Sequence, residues 1–249
     1  MTFEHDGRYL TVTEWRLTEP NHAQDGLERK QWQSFLRDVI PPVVPDLRFV
    51  GLIELWACLA ADGRMWIVGL HSSESSVGEG FDAWQASNNG SGKHAGDGRM
   101  IRSYSGPLVD VGHVVPGTTL RTRESIPAPS VGQQWIQLTR WRVRPDGESG
   151  PDQVGTVLNA VGPLVIRHLG NQRPMMAWVA DSGDDTVTFA ALFSSPTASE
   201  AAWESMRQPG ALRDATDRHL ILLEFVGGEV VDLFAFAARA QARDAPDSD

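Results

Sequence analysis

Cysteine is nearly absent from this chain of 249 residues: there is one, Cys58. A disulfide within the chain is therefore impossible, and so is a metal cage built on cysteines. No apolar run approaches the roughly 18 residues that a membrane-spanning helix needs. The first residues, MTFEHDGRYL, lack the basic stretch and apolar core of a secretory signal, so a cytoplasmic location is expected. Formal net charge is −10 and neither half of the chain is basic. Without a Lys/Arg run, nucleic acid is not an expected partner, and neither is a membrane. There is no HExxH, G-x-S-x-G, P-loop or dinucleotide-binding glycine pattern, and the histidines at 5, 22, 113 and 219 have no partner at metal-ligand spacing. No metal site is expected. Tyrosine is scarce as well, at two residues, whereas tryptophan numbers nine. Trp supplies large flat apolar surface, so most of the nine belong to the core, and a flat aromatic pocket is the alternative use for the rest.

What is present is a duplication. LTVTEWRL (10–17) matches IQLTRWRV (136–143), and DVIPPVV (38–44) matches NAVGPLV (159–165). IELWACLAADG (53–63) pairs with MMAWVADSGDD (175–185), and MWIVGLHSSES (65–75) with VTFAALFSSPT (187–197). FDAWQAS (81–87) then pairs with EAAWESM (200–206). Each match alone is weak, but all five keep their order. Each copy predicts a strand (9–17; 135–143), an amphipathic helix, a hairpin turned at Asp62-Gly63 or Ser182-Gly183, a second helix, and a closing strand (101–115; 219–234). That is β-α-β-β-α-β, the ferredoxin-like unit. The expected class is α+β, with tandem ferredoxin-like repeats forming an intrachain dimeric α+β barrel. Repeat one spans 1–115, a proline-containing linker 116–134, repeat two 135–234, and a C-terminal tail 235–249.

The copies differ at one informative place. In repeat two, Val187, Phe189, Ala191 and Phe193 share a strand face. In repeat one the same face carries Met65, Ile67, Gly69 and His71. An ionisable ring thus replaces a phenyl on an apolar surface, and Gly69 leaves room beside it. Either His71 is wetted at a strand end or bonded to the Ser-Ser turn, or it works in a pocket that repeat two has closed. The segment after Trp84, through Asn88, Asn89, His94, Arg99 and Tyr104, is Gly-rich and polar in repeat one and tighter in repeat two. It is either a surface loop or a lid that carries those side chains to the pocket. Glu14 and Arg16 share a strand face and are expected to pair. His168, on the apolar side of its helix, is read as a core histidine and is the one candidate haem ligand.

Tandem ferredoxin-like units with Trp84 on the second helix and a polar loop behind it resemble the dimeric α+β barrel superfamily, in particular the antibiotic-biosynthesis monooxygenases. The double length is similar to the oxygenases that open rings of angucycline polyketides of the jadomycin, gilvocarcin and kinamycin type. The resemblance implies an oxidoreductase of polyketide tailoring that inserts oxygen into a polycyclic phenol or quinone and opens a ring. It implies dioxygen as oxidant, no tightly bound cofactor, and reduced flavin (FADH2 or FMNH2) as a co-substrate. A small aromatic polyketide, a flavin reductase and a second copy in a homodimer are the implied partners. It further implies His71, His94 and Asn88 as catalytic residues, with Trp56, Trp84, Asn89, Arg99 and Tyr104 binding substrate. Trp66, by strand alternation, faces away from His71. Two other functions fit the same fold: a haem-dependent enzyme, and a cyclase or binding protein that acts without oxidation.

Overall fold

The computed structural model describes residues 5–17, 27–60, 62–91, 98–109, 134–145, 153–172 and 174–244. Of the expected linker, all but Gln134 lies outside them. The chain divides into two compact units, Arg8–Tyr104 with the stretch from Val230 onward, and Ser105–Glu229 with the stretch up to Gly7.

Repeat one comprises β1 (His5–Leu17), α1 (Leu27–Phe49), β2 (Leu52–Ala60), β3 (Met65–His71), α2 (Glu74–Ser91) and β4 (Gly98–Val109). Repeat two comprises β5 (Trp135–Val143), α3 (Gln153–Gln172), β6 (Met176–Asp181), β7 (Thr186–Phe193), α4 (Pro196–Arg207), α5 (Ala211–His219) and β8 (Leu220–Asp232). A last helix, α6 (Leu233–Asp244), follows. The strand order is β1-β3-β2-β8-β5-β7-β6-β4, closed into a barrel. The fold class expected from the sequence is therefore the observed one.

The strand registers of the two halves correspond. Thr11 lies opposite Gly69 and Tyr9 opposite His71. In repeat two Gln137 lies opposite Ala191 and Trp135 opposite Phe193. On the other edge Leu55 faces Gly69, as Ala177 faces Ala191. The repeated Ser-Ser has a structural use. Ser195 Oγ accepts from the Ala198 amide at 3.1 Å, capping α4. Ser73 Oγ accepts from the Ser76 amide at 3.3 Å at the start of α2.

Helix α1 runs farther than its first apolar positions suggest. The buried stripe of Trp32, Phe35, Leu36, Val39 and Ile40 continues through Val43, Val44 and Leu47. It does so past Pro41, Pro42 and Pro45, which cannot donate to the preceding turn. Burial of that stripe against Leu17, Leu55, Ala57, Met65 and Ile67 outweighs the missing bonds. Strand β2 accordingly begins only at Leu52. In α6, Leu233, Phe234 and Ala237 join the same core, and Arg48 stacks over Phe234 at 4.2 Å. In repeat two α3 covers its sheet with Val157, Leu158, Val161 and Val165.

The opposite face of the first sheet holds a buried charge. Glu14 is 2% exposed; Arg102 Nε donates to Oε2 at 2.6 Å and Arg64 to Oε1 at 3.1 Å. Arg16, the partner expected from sequence, is farther, at 3.4 Å. Burial opposes the charge, but the bonds from Arg64 and Arg102 prevail and hold the carboxyl below its usual 4.5. The stabilisation this gives is present above pH 4.5 and lost as pH falls through the lowered value. Glu14→Gln should cost about 2 kcal/mol at neutral pH and flatten the acid limb of the stability curve below pH 4.5. Urea midpoints taken against pH check this, and an unchanged acid limb would refute it.

Candidate functional site

Between the first sheet and its helices lies a cavity of about 400 Å3. β1 contributes Thr11, Thr13 and Trp15, the alternate residues of one strand face. β3 adds Ile67 and His71, and β2 adds Leu52 and Leu55. Leu47 of α1 and Val77, Gly78, Gly80, Phe81 and Trp84 of α2 close the other side, with Met100 and Ser103 from β4. Trp84 tilts against Trp15 with ring centroids 5.5 Å apart. Among the described residues no charged side chain lines the space.

His71 is the one titratable ring in that lining, and it is 5% exposed. Its Nδ1 stands 3.1 Å from the Ser76 carbonyl oxygen. A carbonyl only accepts, so Nδ1 carries the hydrogen and Nε2 carries the lone pair. Burial pushes the imidazole pKa down to about 4, against a smaller upward pull from the Ser76 carbonyl. The ring is thus neutral at pH 7. A tight turn holds the carbonyl in place. Ser76 Oγ donates to the Ser73 carbonyl at 2.8 Å, and the Ser72 amide donates to Gly51 at 2.9 Å. Gly51 has φ +92°, and a Cβ there would run into Ser72 Oγ.

Two glycines flank the imidazole. A Cβ on Gly69 would come within 3.1 Å of Nε2, and one on Gly80 within 3.2 Å of Cε1. In repeat two Ala191 stands where repeat one has Gly69, and it packs around Phe193 with Ala177 and Ala202. The space left in repeat two is about 30 Å3. Its lining includes His168, which stands near the place that Leu47 holds in repeat one. His168 Nε2 donates to the Ala202 carbonyl at 3.0 Å.

Of the residues proposed from sequence, the fold brings His71 and Trp84 to one cavity. Trp56 is buried but lies on the other face of β2 from Leu55 and does not line it. Asn88 and Asn89 fall in the last turns of α2, where their side chains are outside the described residues, as is His94 altogether. Arg99 is exposed on β4; Tyr104 is half-buried on the same strand and not part of the lining. Trp66 is fully buried and away from the cavity, as alternation predicts. Thr11, Thr13 and Trp15 were missed, although their period-two spacing in β1 places them on a common face. Among the described residues no group of three or more acidic, histidine or cysteine side chains is placed to hold a metal ion. No described helix is long and apolar enough to cross a membrane.

No family model matches the chain, and no curated protein does. Solved structures do. A mutant chlorite dismutase from Candidatus Nitrospira defluvii superposes with a TM-score of 0.60 at 10% identity, covering 95% of this chain and 96% of that one. A heme-binding protein from Thermus thermophilus gives 0.56 at 12%, covering 97% and 99%. A protein provisionally termed a monooxygenase, from Fusobacterium nucleatum, gives 0.53 at 10%, covering 90% and 96%. At such identities the likeness is one of fold, the α+β barrel that chlorite dismutases share with monooxygenase-like proteins. It also corrects an expectation. The expected chain has no tight cofactor and borrows reduced flavin; the structures of like fold include a heme-binding protein and a DypB variant in complex with heme. Haem is the group to weigh.

Repeat two does not fit haem: the space beside His168, about 30 Å3, is far too small. Repeat one offers the space and a nitrogen donor, with no charged residue in its described lining to meet haem carboxylates. The cavity falls in the 300–1,000 Å3 range of small-molecule sites. His71 has the arrangement usual for ligating imidazoles, one nitrogen bonded to a backbone carbonyl and the other unprotonated.

His71→Phe should fold, because repeat two accommodates a phenyl at this position. A depressed histidine pKa contributes stability that is full above 6.5 and lost as pH falls towards about 4. The wild type should therefore lose on the order of 2 kcal/mol more than His71→Phe between those limits. Denaturant midpoints at pH 7 and pH 4.5 measure the difference, and parallel losses would count against a neutral buried ring.

Proposed function

We propose that this chain is a haem-using enzyme of oxygen or peroxide chemistry, with the haem held in the first-repeat cavity and His71 as its nitrogen donor. One observation carries the reading: a buried imidazole whose Nδ1–H is committed to the Ser76 carbonyl, leaving Nε2 unprotonated in a wide apolar space. The haem-binding relatives in fold support it. Bound haem would supply the iron whose redox changes act on oxygen species.

The chain's own residues do the rest. The Ser76 carbonyl fixes the tautomer and orientation of His71. Trp15, Trp84 and Phe81 offer flat apolar surface and exclude water. Ser103 adds a hydroxyl-bearing residue to the wall, whereas the Thr13 hydroxyl accepts from Trp15 Nε1 at 2.8 Å and donates to the Ile67 carbonyl at 3.4 Å. The low pKa bears on His71's role. A general base works best with a pKa near the working pH, and about 4 is far from it. A ligating nitrogen needs only to be unprotonated, and the same low pKa secures that at neutral pH.

A second occupant, a polycyclic aromatic polyketide phenol of the angucycline type, is favoured by the uncharged lining, which offers no partner for haem carboxylates. In that case His71 Nε2 would accept a hydrogen bond from the phenol, and repeat one would serve as a polyketide-binding or cyclising site of secondary metabolism.

Titrating the protein with hemin, with and without His71→Ala, decides between the two. A saturable haem absorption spectrum in wild type, lost in His71→Ala and restored by added imidazole, is expected. No saturable spectrum in wild type would sink the haem reading. Quenching of tryptophan fluorescence by an angucyclinone would then support the phenol reading.

A further inference from the structure

The Thr11 hydroxyl has one hydrogen and two acceptors in reach. Its Oγ1 lies 3.1 Å from His71 Nε2 and 3.4 Å from the Gly69 carbonyl oxygen. Because Nδ1 donates to Ser76, Nε2 has no hydrogen and can only accept. When Thr11 donates to Nε2, the lone pair is taken. When the hydroxyl turns to the Gly69 carbonyl, the lone pair is released to whatever occupies the cavity. We propose that Thr11 is a movable cap on His71, and that exchange of its hydroxyl between Nε2 and the Gly69 carbonyl sets when a ligand can reach the ring nitrogen.

Gly69 is part of the device. A Cβ there would stand 2.7 Å from Thr11 Oγ1 and 3.1 Å from Nε2, so any larger residue would force the pair apart. Thr is β-branched and stiff at χ1, which keeps the oxygen in place while the hydrogen turns. Repeat two supplies an internal comparison. Where repeat one has Thr11, Gly69 and His71, it has Gln137, Ala191 and Phe193 in the same register. Gln137 is engaged elsewhere, accepting from Ser199 Oγ at 3.2 Å. All three positions differ together, as members of one working set would. Thr11 is on this account a positioning residue that acts through His71.

For haem the inference rests on the function proposed above, so the test includes an arm that needs no haem. Diethyl pyrocarbonate acylates unprotonated imidazole nitrogens, and peptide masses report the rate at His71 alone. Thr11→Val should raise that rate about fivefold, the scale of one hydrogen bond. It should tighten hemin binding by a similar factor, while Thr11→Ser behaves as wild type in both. A Thr11→Val protein indistinguishable from wild type, or a Thr11→Ser protein as reactive as Thr11→Val, would overturn the cap. Should Thr11→Val not fold, the 15N shift of Nε2 in wild type decides. A hydrogen-bonded acceptor supports the cap, and a free lone pair refutes it. If wild type takes up no hemin yet Thr11→Val is acylated faster, the cap stands and the haem function falls. If hemin binds and Thr11→Val changes nothing, the reverse holds.

Discussion

The hydrogen bond from His71 Nδ1 to the Ser76 carbonyl decides which nitrogen of the ring faces a ligand. Its acceptor is held by the Ser73–Ser76 turn, which also starts α2. Helix α2 in turn brings Gly80, Phe81 and Trp84 over the cavity. One short segment after β3 thus sets the tautomer of the ring, the start of the helix and the roof of the site. Removing the ring from water keeps it neutral, so the site's nitrogen is unprotonated at ordinary pH without help from a charged neighbour.

Duplication makes the energetics readable. Both repeats use the same strands and the same serine cap, and both bury a ring at the end of the third strand. Repeat two fills the space with alanine methyls and a phenyl, the close packing expected of a core. Repeat one leaves a methyl out at Gly69 and keeps a cavity of about 400 Å3 at the place where its imidazole stands. The buried Glu14 with Arg64 and Arg102 lies on the other face of the same sheet and does not enter the cavity.

Relatives in fold with so little sequence in common leave chemistry to be argued from the site itself. The two histidines that repeat comparison singles out divide sharply on this test. His168 sits in the closed repeat with about 30 Å3 beside it, whereas His71 sits at a cavity of about 400 Å3 with its lone pair directed at a hydroxyl. Burial holds the His71 ring unprotonated at neutral pH, with its pKa below the range in which a general base works best.

By itself the sequence determined the two-fold plan. Alternation of apolar residues in the strands, the Gly turns and the paired Ser-Ser caps are local signals, and a duplicated chain states each of them twice. The exchange of Phe193 for His71 was legible for the same reason, since one copy serves as the reference for the other. The length of α1 was not: Pro41, Pro42 and Pro45 would break an isolated helix, and burial of Val43, Val44 and Leu47 against the sheet overrides them. The partners of His71 were not legible either. Thr11 is 60 residues away and meets the ring through strand register. The Ser76 carbonyl has no side-chain signature, and Trp56, close in sequence to the lining residue Leu55, is carried to the opposite face by the pleat. Which hydrogen the ring bears, and how much space stands before it, are set by contacts between segments distant in the chain. Tertiary structure alone decides them.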